Sequence, residues 1–120
     1  AVKLQSRAAR VGFDWPGPAP VIDKLHEEIE EVRAEFAQAE VMDNHDRLED
    51  ELGDLLFVAA NLARHAKVDP GAALRRANQK FERRFRAMEA FAAEAGTQMS
   101  ALTLAQQEAL WQRAKQQERA

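Results

Sequence analysis

The stretch Val21-Ile22-Asp23-Lys24-Leu25-His26-Glu27-Glu28-Ile29-Glu30-Glu31-Val32-Arg33-Ala34-Glu35-Phe36 carries the strongest pattern in the chain. Ile22, Leu25, Ile29, Val32 and Phe36 recur at alternating spacings of three and four, which draws one apolar stripe along an α-helix. The spacing predicts a helix over about Pro20–Ala39. Further on, Leu48, Leu52, Leu55, Ala59, Leu62 and Ala66 predict a second helix over about Arg47–Ala66. The polar segment Val41–Asp46 reads as the loop between them, with Asn44 or Asp46 as N-cap. Asp69-Pro70 is an N-cap followed by proline at the first helical position. It opens a third helix to about Ala95, with Leu74, Phe81, Phe85, Met88 and Ala92 inward and Gly96 as terminator. Thr103 and Gln106 fit a capping box ahead of a fourth helix, Leu104–Glu118, which carries Leu110 and Trp111. Pro16, Gly17, Pro18 and Pro20 break the chain. Before them lies a short basic helix, about Val2–Val11.

Four amphipathic helices joined by short loops imply an all-α, four-helix-bundle-like fold with a short extra helix at its N-terminal end. Phe57 lies opposite the main stripe of the second helix, and a second apolar face needs a second partner, so a homodimer is expected. The chain has 120 residues, which fits a single domain spanning 1–120. It starts at Ala1 and not at Met, which suits a segment cut from a longer protein. With no Cys, disulfides, thiolate nucleophiles and Cys-ligated zinc are excluded. The formal charge of -3 disfavours wrapping a nucleic-acid duplex. No apolar run reaches the roughly 20 residues of a membrane helix, and no signal-peptide pattern is present.

The chemistry concentrates in two acidic clusters. Glu28 and Glu31 are spaced i, i+3 on one flank of the first stripe, and Glu51 and Asp54 repeat that spacing beside the second. If the stripes pack together, four carboxylates converge. Like charges near an apolar core repel and are poorly solvated, so a cation is expected among them. Hard oxygen ligands favour Mg²⁺ or Mn²⁺. A solvated acidic face is the plain alternative for any one glutamate, and two pairs flanking two stripes argue against it. A di-iron site expects Glu-x-x-His on two helices. Only Asp23-Lys24-Leu25-His26 comes near that pattern.

Opposite charge follows in the third helix. Lys80 and Arg84 are i, i+4 beside Phe81 and Phe85, with Asn78 near the same stripe. Asn61 shares a flank with Asp54. Trp111 and Lys115 are i, i+4 on the fourth helix. Cations and amides beside a metal suit a polyanionic ligand, and Trp111 or Trp15 would stack on a base. Surface charge and core packing are the plain alternatives for these residues. No Gly-rich phosphate loop is present.

Taken together, Glu27-Glu28-x-x-Glu31 and Glu51-x-x-Asp54 resemble the signature of the MazG-type all-α nucleoside triphosphate pyrophosphohydrolases. The likeness continues in Gly12-Phe13-Asp14-Trp15, Gly53-Asp54-Leu55-Leu56-Phe57, Asn61-Leu62-Ala63-Arg64-His65, Ala77-Asn78-Gln79-Lys80-Phe81-Glu82-Arg83-Arg84-Phe85 and Trp111-Gln112-Arg113-Ala114-Lys115. These segments look like the C-terminal catalytic repeat of two-repeat bacterial MazG. The resemblance implies that Glu28, Glu31, Glu51 and Asp54 bind Mg²⁺ and that Glu27 supports the site or positions water. It implies that Lys80, Arg84, Trp111 and Lys115 engage the nucleotide, with Asn61 and Asn78 as weaker carry-overs; Trp15 stays a candidate from its aromatic ring alone. The implied reaction is NTP + H2O → NMP + pyrophosphate, in a cytoplasmic, dimeric enzyme that clears surplus or abnormal nucleotides. A non-catalytic module that binds nucleotide and metal, or mediates dimerisation, is the alternative.

Overall fold

The computed structural model describes residues 1–119, which are all-helical with no strand among them. In chain order the helices are α1 (Val2–Arg10), α2 (Pro18–Ala39), α3 (His45–His65), α4 (Pro70–Glu94) and α5 (Leu104–Arg119), with a 3₁₀ turn at Met99–Ala101 before the last. They form two compact units, Ala1–Pro70 and the chain from Gly71 onward.

In the first unit α2 and α3 pack along their length and α1 lies against α3. Helix α2 starts two residues before the sequence expectation, with Gly17 as an extended N-cap and Pro18 as its first residue. Pro18 and Pro20 fit there because the first-turn N–H groups have no intrahelical acceptor. Helix α3 starts at His45. Asn44 holds its cap position but does not cap it through its side chain. Its Nδ2 turns away and donates to the Glu35 carbonyl at 2.7 Å and to Glu35 Oε2 at 2.6 Å. Asp43 Oδ1 accepts instead from the His45 N–H at 3.3 Å. These two bonds bury Asn44 and tie the start of α3 to α2.

The packed faces follow the predicted stripes only in part: Val32 is buried and Leu25, Leu48, Leu55 and Leu62 are half-buried. Val21, Glu28 and Val32 are buried on α2, and Val58 and Asn61 on α3. Ile22, Ile29 and Phe36 are exposed, as are Leu52 and Leu56. At 100° per residue each exposed set sits one position beyond the packed face, and in an antiparallel pair these positions share a side. The unit therefore carries an apolar side that α1 does not cover.

Helix α1 ends on a Schellman motif. Gly12 takes φ +87° at the position after the cap, and the Phe13 N–H reaches the Ala8 carbonyl at 3.0 Å. Gly96, with φ +74°, ends α4 the same way, as its place in the sequence predicts. The second unit is a helical hairpin whose core is Met88, Phe91 and Ala114, flanked by Leu110, Trp111 and Met99. Its capping box is formed: Thr103 N–H donates to Gln106 Oε1 at 2.8 Å, and Gln106 N–H donates to Thr103 Oγ1 at 3.2 Å. Leu74 and Phe81, expected inward, are exposed. With 16 residues, α5 covers only part of the 25-residue α4.

Candidate functional site

Packing α2 on α3 forces an acidic side chain into the seam. Glu28 is 5% exposed, between Val21 and Val32 on the face that meets α3. One carboxylate oxygen from each of Glu28, Glu51 and Asp54 lies within 4.8 Å of the others. Glu31 stands one turn beyond Glu28. Burial pushes the Glu28 carboxyl above the usual carboxylate range, and the neighbouring Glu31 adds to it, against the pull of Lys24. Lys24 Nζ lies 3.3 Å from Glu28 Oε1 and 3.3 Å from Glu27 Oε1. Glu27 itself is exposed and outside the three-carboxylate group.

The second oxygens of Glu28 and Glu51 are buried with no hydrogen-bond partner. A buried carboxylate accepts only, so leaving it unpaired is costly. These orphaned acceptors, on two of the three carboxylates that come together, fit a hard cation. His26 is exposed and outside the group, so the di-iron pattern finds no second ligand type here.

A family description, the MazG nucleotide pyrophosphohydrolase domain, matches residues 17–88. The chain belongs to that family. Over 118 residues the MazG domain is 49% identical to the nucleoside triphosphate pyrophosphohydrolase of Escherichia coli K12, covering 98% of this chain and 44% of that protein. Over 115 residues it is 39% identical to the nucleoside triphosphate pyrophosphohydrolase/pyrophosphatase MazG of Thermotoga maritima, covering 96% of this chain and 42% of that one. It is also 42% identical over 72 residues to an uncharacterised Bacillus subtilis protein, YabN, covering 60% of this chain and 15% of that protein. The chain thus spans less than half the length of the curated relatives it matches.

The remaining candidates of the MazG domain divide between the units. Asn61 and Trp15 lie in the first and line one cavity. Asn61 is 3% exposed, and its Oδ1 accepts from Arg64 Nε at 3.0 Å. Asn78, Lys80, Arg84, Trp111 and Lys115 lie in the second unit. Arg84 Nε donates to Glu118 Oε2 at 2.9 Å, while its guanidinium sits 5.3 Å from the centre of the Trp111 ring. Phe81 meets the same ring at 5.6 Å.

Sequence reasoning gave no role to Lys24, although its i, i+3 and i, i+4 spacing to Glu27 and Glu28 signals the pairing. It also missed the clasp that holds the segment after α1. Asp14 Oδ1 takes Arg64 Nη2 at 2.6 Å and His65 Nε2 at 3.1 Å, from residues about fifty positions away. No local signal announces such a pair. The Arg64 hydrogen bond, with a smaller contribution from His65, holds the Asp14 carboxyl below the usual carboxylate range. A lowered carboxylate stabilises the fold above the unfolded-state pKa, and that contribution is lost as pH falls through the folded value. The melting-temperature gap between wild type and Asp14→Asn is therefore expected to stay constant above about pH 5. It should close towards about pH 2. A gap independent of pH, measured by circular dichroism, would argue against the clasp.

Proposed function

We propose that this MazG domain hydrolyses nucleoside triphosphates, ribo- or deoxyribo-, at the α–β phosphoanhydride: NTP + H2O → NMP + pyrophosphate. The observation that carries the reading is the convergence of Glu28, Glu51 and the exposed Asp54, with a buried, unpartnered oxygen on each of the two glutamates. The names of the relatives point the same way. Glu28, Glu31, Glu51 and Asp54 would hold Mg²⁺, with Mn²⁺ as a substitute. When bound, the divalent ion supplies positive charge against the phosphates and acidifies water. Glu27 holds Lys24 in place beside Glu28 and, being exposed, is available to orient water. A carboxylate of the cluster left uncommitted accepts the attacking water's proton. Lys80, Arg84 and Lys115 bind the outer phosphates and keep the leaving pyrophosphate in line. Trp111, Trp15, Asn61 and Asn78 contact the nucleoside.

We further infer that the domain works as a homodimer in the cytoplasm, as one repeat of a longer chain, keeping the nucleotide pool clean. The apolar side formed by Ile22, Ile29, Phe36, Leu52 and Leu56 supports a second copy as its cover. Sedimentation at micromolar concentration is expected to give a dimer, and a monomer there would count against it.

The catalytic reading is tested by incubating the full chain with ATP, GTP and dNTPs plus Mg²⁺ and separating the products. NMP with pyrophosphate supports it. NDP with orthophosphate places the cut at the terminal phosphate and overturns it. Binding without turnover makes the chain a nucleotide-binding module instead.

A further inference from the structure

The second unit holds an ion-pair fork to which the proposed reaction gives no role. Glu118 sits on the last turn of α5, three residues beyond Lys115 and seven beyond Trp111, so the three side chains share one face of that helix. Lys80 and Arg84 lie one turn apart on α4. The Glu118 carboxylate bridges two arginines of α4. Its Oε1 accepts from Arg83 Nε at 2.8 Å, and its Oε2 accepts from Arg84 Nε at 2.9 Å. Arg83, and then Arg84, hold the carboxyl below the usual carboxylate range, so it stays ionised at neutral pH.

The two arginines are not equivalent. The Arg83 side chain is 61% exposed and that of Arg84 only 16%. Arg84 is fixed on two sides. Glu118 takes its Nε–H, and the Trp111 ring centre lies 5.3 Å from its guanidinium carbon. Phe81 backs that ring at 5.6 Å and stacks on Phe85 at 5.9 Å. A guanidinium has five N–H donors in a planar fork. One is taken by Glu118, and Arg84 makes no other hydrogen bond among the described residues. Its four Nη hydrogens remain on an edge able to give two parallel bonds to two phosphate oxygens.

An arginine free in solvent must be ordered at the moment of binding, and that ordering weakens affinity. A carboxylate on Nε orders the group in advance and leaves the Nη edge uncovered. Ion pairs at partly exposed positions add little to the fold. A fork at the end of a helix is therefore better suited to orient Arg84 than to stabilise the hairpin.

We propose that Glu118 is a positioning residue, which holds Arg84 against Trp111 so that the Nη edge receives the outer phosphates of the substrate. The inference rests on the triphosphate reading above. Arg83 anchors the second carboxylate oxygen and keeps Glu118 from swinging away. Phosphate meets Arg84 without displacing Glu118.

The test measures binding of inorganic tripolyphosphate to the full chain by calorimetry without divalent ions, together with kcat/KM for ATP in Mg²⁺. Glu118→Ala is expected to weaken tripolyphosphate about three- to tenfold and to lower kcat/KM in step. Its helical spectrum should be unchanged, because alanine suits an exposed helix position. Loss of a negative charge alone would act the other way and tighten a polyanion. Glu118→Gln keeps an acceptor for the Arg84 Nε–H and should stay within about twofold of wild type. In an Arg84→Ala background, Glu118→Ala should cost nothing further, as a residue acting through Arg84 requires. By NMR, the Arg84 Nε–H signal should be protected from exchange in wild type and Glu118→Gln and lost in Glu118→Ala. Unchanged tripolyphosphate binding by Glu118→Ala overturns the proposal. Tighter binding overturns it as well, and makes the carboxylate a competitor of phosphate. So does an equal loss in the Arg84→Ala background. No pyrophosphate from any NTP by wild type, with the binding results as expected, instead overturns the catalytic reading and leaves Glu118 aligning Arg84 for a polyphosphate.

Discussion

Glu51→Gln is expected to abolish pyrophosphate release while leaving the helical spectrum of the chain unchanged. The substitution keeps the shape of a side chain whose Oε2 is buried without a partner. It removes one negative charge from a group whose oxygens lie within 4.8 Å of one another. Fewer crowded like charges make the fold no worse, and an amide still fills the space. Its affinity for a divalent ion is far lower, because a neutral amide brings no charge and only one acceptor atom. Loss of a group that merely orients a metal ligand typically costs about ten- to a hundredfold. Loss of the carboxylate itself should exceed that, by at least about a hundredfold in kcat/KM. Wild-type turnover in this variant would remove the acidic cluster from the reaction.

Glu28→Gln makes the opposing test, on stability. In EDTA the variant is expected to melt a few degrees above wild type. Burial, and then Glu31, push the Glu28 carboxyl up. A raised carboxylate disfavours its own ionised form, so its penalty is absent at low pH and grows as pH rises through the folded value. Glutamine removes that penalty and still offers an acceptor to Lys24. Adding Mg²⁺ reverses the order. A ligand at a hundred times its Kd stabilises a fold by about 2.7 kcal/mol. Wild type should gain this and the variant little of it, while sodium at matched ionic strength leaves both unchanged. A variant less stable in EDTA and equally responsive to Mg²⁺ would show that Glu28 is not part of a cation site.

The helices were legible because their signals are local. Apolar spacing marked where the helices run, and Pro70 at the start of α4, the Thr103 and Gln106 box and Gly96 each act within a turn or two and stand as read. The face buried on each helix was less legible. Ile22 and Val21 are adjacent and both apolar, so periodicity alone does not say which meets α3. The partner's shape chose Val21 and left Ile22 half in solvent. The acidic spacing told which carboxylates could meet, and three of the four do. It placed Glu28 on a flank, whereas packing carries it into the seam, because sequence patterns assign polar residues outward. Gln5 escaped notice for the same reason, and Asn44 reads in sequence only as a cap. Both are polar and both are buried, held by bonds to the Phe57 and Glu35 carbonyls on other helices.

Lys24 stands beside Glu28 before any ion arrives. Its ammonium carries one positive unit, so sodium or potassium would bring nothing the lysine does not already supply, and would lose its water shell for no return. A doubly charged ion would bring more charge than the ammonium, and the flexible stem would let the lysine swing aside. A spacing of four residues on one helix thereby seats a single positive charge beside the carboxylate that packing carries into the seam, and any cation entering there would have to compete with it.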